Sequence, residues 1–222
     1  MSKESNGELY DYVYPYIKNK LVFDIGSNIG EVTKKFVKHG AKVVAVEPQV
    51  SLLTNENYKG VFSIENLCVS DKKDDIIFYK ANQHTVSTCS KNWTDFNKTY
   101  KWNKIKVKCT TLDFLIKKYG KPKYIKIDVE NFEDSVLRGL SRKIDIISFE
   151  FTQGFEDNFT NCLKIVEKLG FNKIITFVKK KIKKKSKVIR TYKIVDEFTD
   201  IKSAINLFKK LPKRCQGDLL VL

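Results

Sequence analysis

Leu21-Val-Phe-Asp-Ile-Gly-Ser-Asn-Ile-Gly30 reads as a buried strand that passes directly into a glycine-bearing turn. The short apolar run Leu21–Ile25 suits a strand covered on both faces. Residues 30–38 then place Val32, Phe36 and Val37 at helical spacing, and Gly40 stops that helix. Lys42–Val46 is a second buried strand, closing on Glu47-Pro48. Strand, helix and strand in this order make a parallel pair joined by a right-handed crossover.

Outward from this unit, the pattern repeats. Residues 8–19 form a short amphipathic helix interrupted near Pro15. A helix is expected over 50–57, a third strand over 61–69, and a turn at 71–74 leading into a strand at 76–79. Strands follow at 105–109, 124–129, 144–151, 171–178, 188–195 and 218–222. Helices follow at 111–119, capped by Thr111, and at 133–140, 159–169 and 201–209. Such alternation predicts one α/β domain over 1–222: a mostly parallel central sheet with helices on both faces, and ligands outside the carboxyl ends of the strands. Residues 81–104 are polar and aromatic without a period, which marks a substrate loop. Its Trp93, Phe96, Tyr100 and Trp102 either stack on a ligand or pack a lid.

Composition narrows the class. With 42% hydrophobic and 12% aromatic residues the chain carries a core, so wholesale disorder is excluded. The apolar runs are too short to span a bilayer, and residues 1–6 have no apolar leader. Five scattered cysteines without a C-x-x-C argue for a reducing, cytoplasmic setting and against a zinc site. Forty-two Lys and Arg against 26 Asp and Glu give +16, which favours polyanions. Yet Arg occurs only at 138, 142, 190 and 214, and specific phosphate recognition leans on Arg forks. Residues 178–187 hold seven Lys in ten, expected as a hairpin at 179–187: either a solvated turn or a landing site for an acidic partner such as nucleic acid.

Three motifs carry chemistry. The turn Asp24-Ile-Gly-Ser-Asn-Ile-Gly30 has Asn28 where a dinucleotide site would carry its second glycine, so it suits a nucleoside without a diphosphate. Glu47, at the end of the second strand, can accept both ribose hydroxyls. In Lys126-Ile-Asp-Val-Glu-Asn-Phe-Glu133, Asp128 and Glu130 stand at i and i+2 of a strand and point to one face, with Glu133 in the next helical turn and Glu150 ending a neighbouring strand. Converging carboxylates raise each other's pKa or share a cation. Asp128, Glu130 and His84 are therefore the candidate bases, and Asp128, Glu130 and Glu150 the candidate ligands of a divalent metal. His84 can equally be a solvated loop histidine, while His39, at a helix end, is structural.

The ordered blocks Val22-Phe-Asp-Ile-Gly-Ser-Asn-Ile-Gly-Glu-Val-Thr, Val46-Glu-Pro, Thr111-Leu-Asp-Phe-Leu and Ile125-Lys-Ile-Asp-Val-Glu-Asn-Phe-Glu-Asp-Ser-Val-Leu-Arg-Gly resemble the FkbM family of S-adenosylmethionine-dependent methyltransferases. The resemblance implies a class I Rossmann-like fold, S-adenosylmethionine as donor, and O-methylation of a sugar, glycan or related hydroxyl. It also implies that Asp24, Gly26, Asn28 and Gly30 surround the methionine part and ribose. Glu47 would then hold the ribose hydroxyls, Asn66, Cys68 and Val69 would lie against adenine, and Asp128 would border the transferable methyl. Asn131 departs from the family, which has glycine there. The alternative acceptor is RNA, at a ribose 2′-hydroxyl.

Overall fold

A computed structural model describes residues 9–184 and 187–222; the start of the N-terminal segment and the tip of the Lys-rich hairpin lie outside the described residues. The chain runs α1 (Leu9–Ile17), β1 (Leu21–Ile25), α2 (Glu31–Lys38), β2 (Lys42–Val46), β3 (Ser63–Glu65), β4 (Cys68–Val69) and β5 (Asp75–Ala81). It continues through α3 (Lys91–Phe96), β6 (Trp102–Thr110), α4 (Leu112–Tyr119), β7 (Tyr124–Ile127), α5 (Glu133–Arg138) and β8 (Ile146–Thr152). The last elements are α6 (Glu156–Lys168), β9 (Ile174–Lys184), β10 (Lys187–Phe198), α7 (Ile201–Lys210) and β11 (Gln216–Val221).

Eight strands form one sheet in the order β10-β9-β11-β8-β7-β1-β2-β3. The run from β8 to β3 is parallel, whereas β11 pairs antiparallel with β8 and β9, and β9 with β10. This is the expected class I Rossmann-like architecture. Side-chain alternation sorts the core into two layers. Val22, Val43, Tyr124, Ile146 and Leu220 pack with Leu9, Val13 and Ile17 of α1 and Phe36 of α2. Their strand neighbours Phe23, Val44, Ile125, Ile147 and Leu219 pack with Leu112, Val136, Leu163 and Phe208 of α4 to α7.

Several elements differ from expectation. Pro15 lies inside α1 rather than breaking it. Residues 50–57 form two single 3-10 turns, Val50–Leu52 and Glu56–Tyr58, instead of a helix. The stretch 61–69 splits: β3 joins the main sheet, and β4 joins a second sheet of order β4-β6-β5. The split falls at Asn66, whose amide donates to the carbonyls of Glu47 and Pro48 and turns the chain. The segment 81–104 holds α3, a 3-10 turn at His84–Val86 and the start of β6, so it is more structured than a loop.

Candidate functional site

The C-terminal ends of β1, β2 and β7 open onto a cleft of about 890 Å³, within the range of small-molecule sites. Its first wall is the turn after β1. Gly26 (φ 75°) packs so closely that a Cβ would sit 1.9 Å from the Asp128 carbonyl, which only glycine permits. Asn28 also takes a left-handed backbone (φ 52°). Tyr58 holds the turn by donating to the Asn28 carbonyl and bonding Ser27 Oγ at 2.9 Å. Burial pushes the Tyr58 hydroxyl up to about 12, so it stays a donor.

Glu47 is 4% exposed at the end of β2. One of its oxygens accepts from the Asn28 N–H at 3.0 Å, the other from the Gln49 N–H at 2.9 Å. Burial raises its pKa, and these donors oppose the rise. Gln49 is equally buried, and its Oε1 has no hydrogen-bond partner.

Opposite Glu47 lies the carboxylate cluster. Asp128, Glu130 and Glu150 each bring an oxygen within 4.8 Å of the others. The expected convergence holds, but by another route. β7 ends at Ile127, and Glu130 (φ 57°) and Asn131 (φ 65°) form a left-handed turn rather than a strand. Asparagine tolerates that backbone best after glycine, which accounts for its place at 131; glutamate pays about 1 kcal/mol or more of strain there. Thr88 Oγ1 pins the turn by donating to the carbonyls of Glu130 (2.7 Å) and Val129 (3.2 Å).

Beneath the cluster runs a buried charged strip on the sheet face that α1 and α2 cover. Lys126, 4% exposed, lies 3.2 Å from Asp24 and 3.5 Å from Asp128 and donates to the Gly26 carbonyl. Lys179 pairs with Glu150. Burial works against ionising Asp128, but Lys126 and Lys179 outweigh it and hold the carboxyl low. Glu130 goes the other way: burial first, then Glu150 and Asp128, push it well above the ordinary carboxylate range. Burial lifts Glu150 and Glu133 to about 8 each, with Glu133 accepting from the Val129 N–H.

The expected site residues divide. Gly26, Asn28, Glu47, Cys68, Val69, His84, Asp128, Glu130 and Glu150 all line the cleft. Asp24, Gly30 and Asn66 do not, and stand behind it. Asp24 is fully buried between Lys126 and Thr33, whose hydroxyl donates at 2.6 Å. Gly30 is the left-handed cap of α2, packed on Tyr58. His84 sits at the Glu47 end: its carbonyl accepts from Asn28 and Gln49 side chains, each at 3.4 Å. Trp93 and Phe96 pack with Phe155 as a lid, and the Arg214 guanidinium lies 4.4 Å over Phe96. Sequence reasoning missed Lys126, Gln49, Tyr58, Thr88, Lys179 and Arg214. Only Lys126 left a signal, as a cation inside an apolar strand.

Comparison with known proteins follows the same line. No curated protein matches the sequence. Solved structures resembling the chain include precorrin-6Y C5,15-methyltransferase from Geobacter metallireducens (TM-score 0.51, 11% identity, 100% of this chain and 92% of that one). Another is precorrin 8w decarboxylase from Methanobacterium thermoautotrophicum (TM-score 0.51, 10% identity, 100% and 91%). At such identities the likeness shows the fold alone, that of class I methyltransferases. The methyltransferase FkbM domain matches residues 24–173, more than half of the chain. The chain belongs to the FkbM methyltransferase family and is an S-adenosylmethionine-dependent methyltransferase.

Proposed function

We propose that the chain methylates a hydroxyl of a sugar, glycan or related small molecule. The observation that carries this reading is the carboxylate cluster, in which neighbouring groups are driven in opposite directions: Asp128 held ionised, Glu130 made basic. Such a separation assigns electrostatic and proton-accepting roles.

The residues fit the donor. Glu47 is a buried acceptor for ribose hydroxyls, and the unpartnered Gln49 Oε1 beside it offers another. Gly26 and Asn28 line the cleft where the ribose and methionine part would lie, Cys68 and Val69 where adenine would lie. S-adenosylmethionine supplies an electrophilic methyl on a sulfonium. Asp128 would provide negative charge beside it. An alcohol is a weak nucleophile, and the ionised form of Glu130, which burial makes a strong base, takes its proton at Oε2, a buried oxygen without a hydrogen-bond partner; a placed base contributes about 10²–10⁴-fold. His84, held at the Glu47 end, is not given that proton. Asp24, Gly30 and Asn66 position the turn and the β2 end from behind.

The same three carboxylates are the donor set of a divalent cation. Lys126 and Lys179 already offset their charge, which favours the metal-free reading. A second acceptor, RNA, is favoured by the +16 charge. Labelled donor offered to saccharides and to RNA separates the readings. Expected are methylated saccharide, little effect of salt, turnover intact in EDTA, and loss of turnover in Asp128→Asn. Label in RNA that falls steeply with salt would replace the acceptor. Turnover lost to EDTA and restored by magnesium would hand the cluster to a metal.

A further inference from the structure

Three of the five cysteines gather at the edge of the cleft. Cys68 on β4 and Cys89, just before α3, bring their sulfurs to 3.3 Å. Cys109 on β6 faces Cys68 across the parallel pair and shares its apolar cluster with Phe78. Cys68 and Cys89 both line the cleft, Cys68 buried and Cys89 half-buried. Cys89 also borders a second hollow, with Ser70 and Tyr79, so solvent approaches it from two sides.

We propose that Cys68 and Cys89 form an oxidisable dithiol whose disulfide fixes the 84–90 segment across the cleft. That segment is a strap. At one end the His84 carbonyl is held by Asn28 and Gln49, beside Glu47. At the other, Thr88 and Ser90 bond the Val129–Asn131 turn, beside Asp128. A disulfide needs sulfurs at roughly 2.05 Å, a closure of about 1.3 Å from the present contact. That movement is within reach of a short segment and ties the strap to the strand that lines the adenine end. With a peroxide as oxidant, the Cys89 thiolate attacks one peroxide oxygen and is oxidised to a sulfenic acid, releasing hydroxide. The Cys68 thiol then attacks that sulfur, the S–O bond breaks, and water leaves. Two thiols and one peroxide give one disulfide and two waters. Cys109 borders the second hollow but not the cleft and is 5% exposed, so it is not part of the proposed pair.

The effect on the donor rests on the proposed adenine end; formation of the bond does not. The whole chain, treated with hydrogen peroxide and alkylated, is digested and its peptides are weighed. A Cys68–Cys89 pair lighter by two hydrogens is expected, absent in Cys89→Ser and reversed by dithiothreitol. Release of bound S-adenosylmethionine, followed with the donor alone, is expected to slow about tenfold in the oxidised chain, since lid opening limits exchange. Free Cys68 and Cys89 after treatment, or a Cys68–Cys109 pair instead, overturns the dithiol. A Cys68–Cys89 link with unchanged donor release overturns the strap. Both readouts are independent of which acceptor is methylated.

Discussion

Replacing Lys126 by methionine tests the charged strip on which the cleft rests. The methionine fills nearly the same space, so the loss is electrostatic. At 3.2 Å from Asp24, a unit pair at an effective dielectric of about 20 interacts by roughly 5 kcal/mol. Removing one partner of a buried pair leaves an uncompensated charge and costs about 3–5 kcal/mol. Asp24 is fully buried and keeps only the Thr33 hydroxyl as donor, so the upper part of that range applies. Against a total of about 5–15 kcal/mol, this is a large fraction. The unfolding free energy of Lys126→Met is expected to fall by about 4 kcal/mol, read as a lower urea midpoint at unchanged slope, or as roughly 10 °C in Tm. Asp24→Asn added to Lys126→Met removes the stranded charge while keeping an acceptor for Thr33, and is expected to recover most of the loss. A single variant within about 1 kcal/mol of the parent, or a double variant no better than the single, would refute the reasoning.

Two further perturbations reach the cleft directly. Glu47→Gln keeps shape but turns an acceptor into a donor; S-adenosylmethionine is expected to bind about ten- to a hundredfold more weakly by calorimetry, as a charged hydrogen bond is worth about 1.5–3 kcal/mol, and an unchanged Kd removes Glu47 from the ribose. Glu133, lifted to about 8 in the fold, keeps a proton that the unfolded chain releases near 4.3. Its contribution is therefore full at acid pH and is lost as pH rises through that window, levelling above about 8. Glu133→Gln, whose oxygen still accepts from Val129, is expected to flatten the fall in Tm between pH 5 and 8 and to be more stable than the parent at pH 8; parallel Tm curves for the two chains would show that Glu133 is not the group responsible.

The strands were legible because apolar runs bounded by glycine, proline or acid are local signals. β1 and β2 fall on the expected residues. What was not legible depends on partners far along the chain. Asp24 looks like a ligand in isolation, and only the β1–β7 register, which sets Asp24 opposite Lys126, makes it a support. The convergence of Asp128 and Glu130 was read from strand alternation, and the fold reaches it with a left-handed turn that Thr88, some forty residues earlier, holds in place. α3 was invisible because six residues are too few to display a helical period.

The charge of the chain and the charge of the cleft are separate quantities, and a bound donor meets the second. Glu31, Glu47, Asp128, Glu130 and Glu150 line it, against Lys35, Lys126, Lys179 and Arg214. Lys126 pairs with Asp24 and Asp128, Lys179 with Glu150, and the Arg214 guanidinium lies over Phe96. Burial drives Glu130 up and lifts Glu150 to about 8, so Asp128 is the member of the cluster held ionised. A sulfonium donor carries one positive charge more than its thioether product, so an ionised Asp128 would hold the donor more tightly than what is left after transfer and would favour exchange.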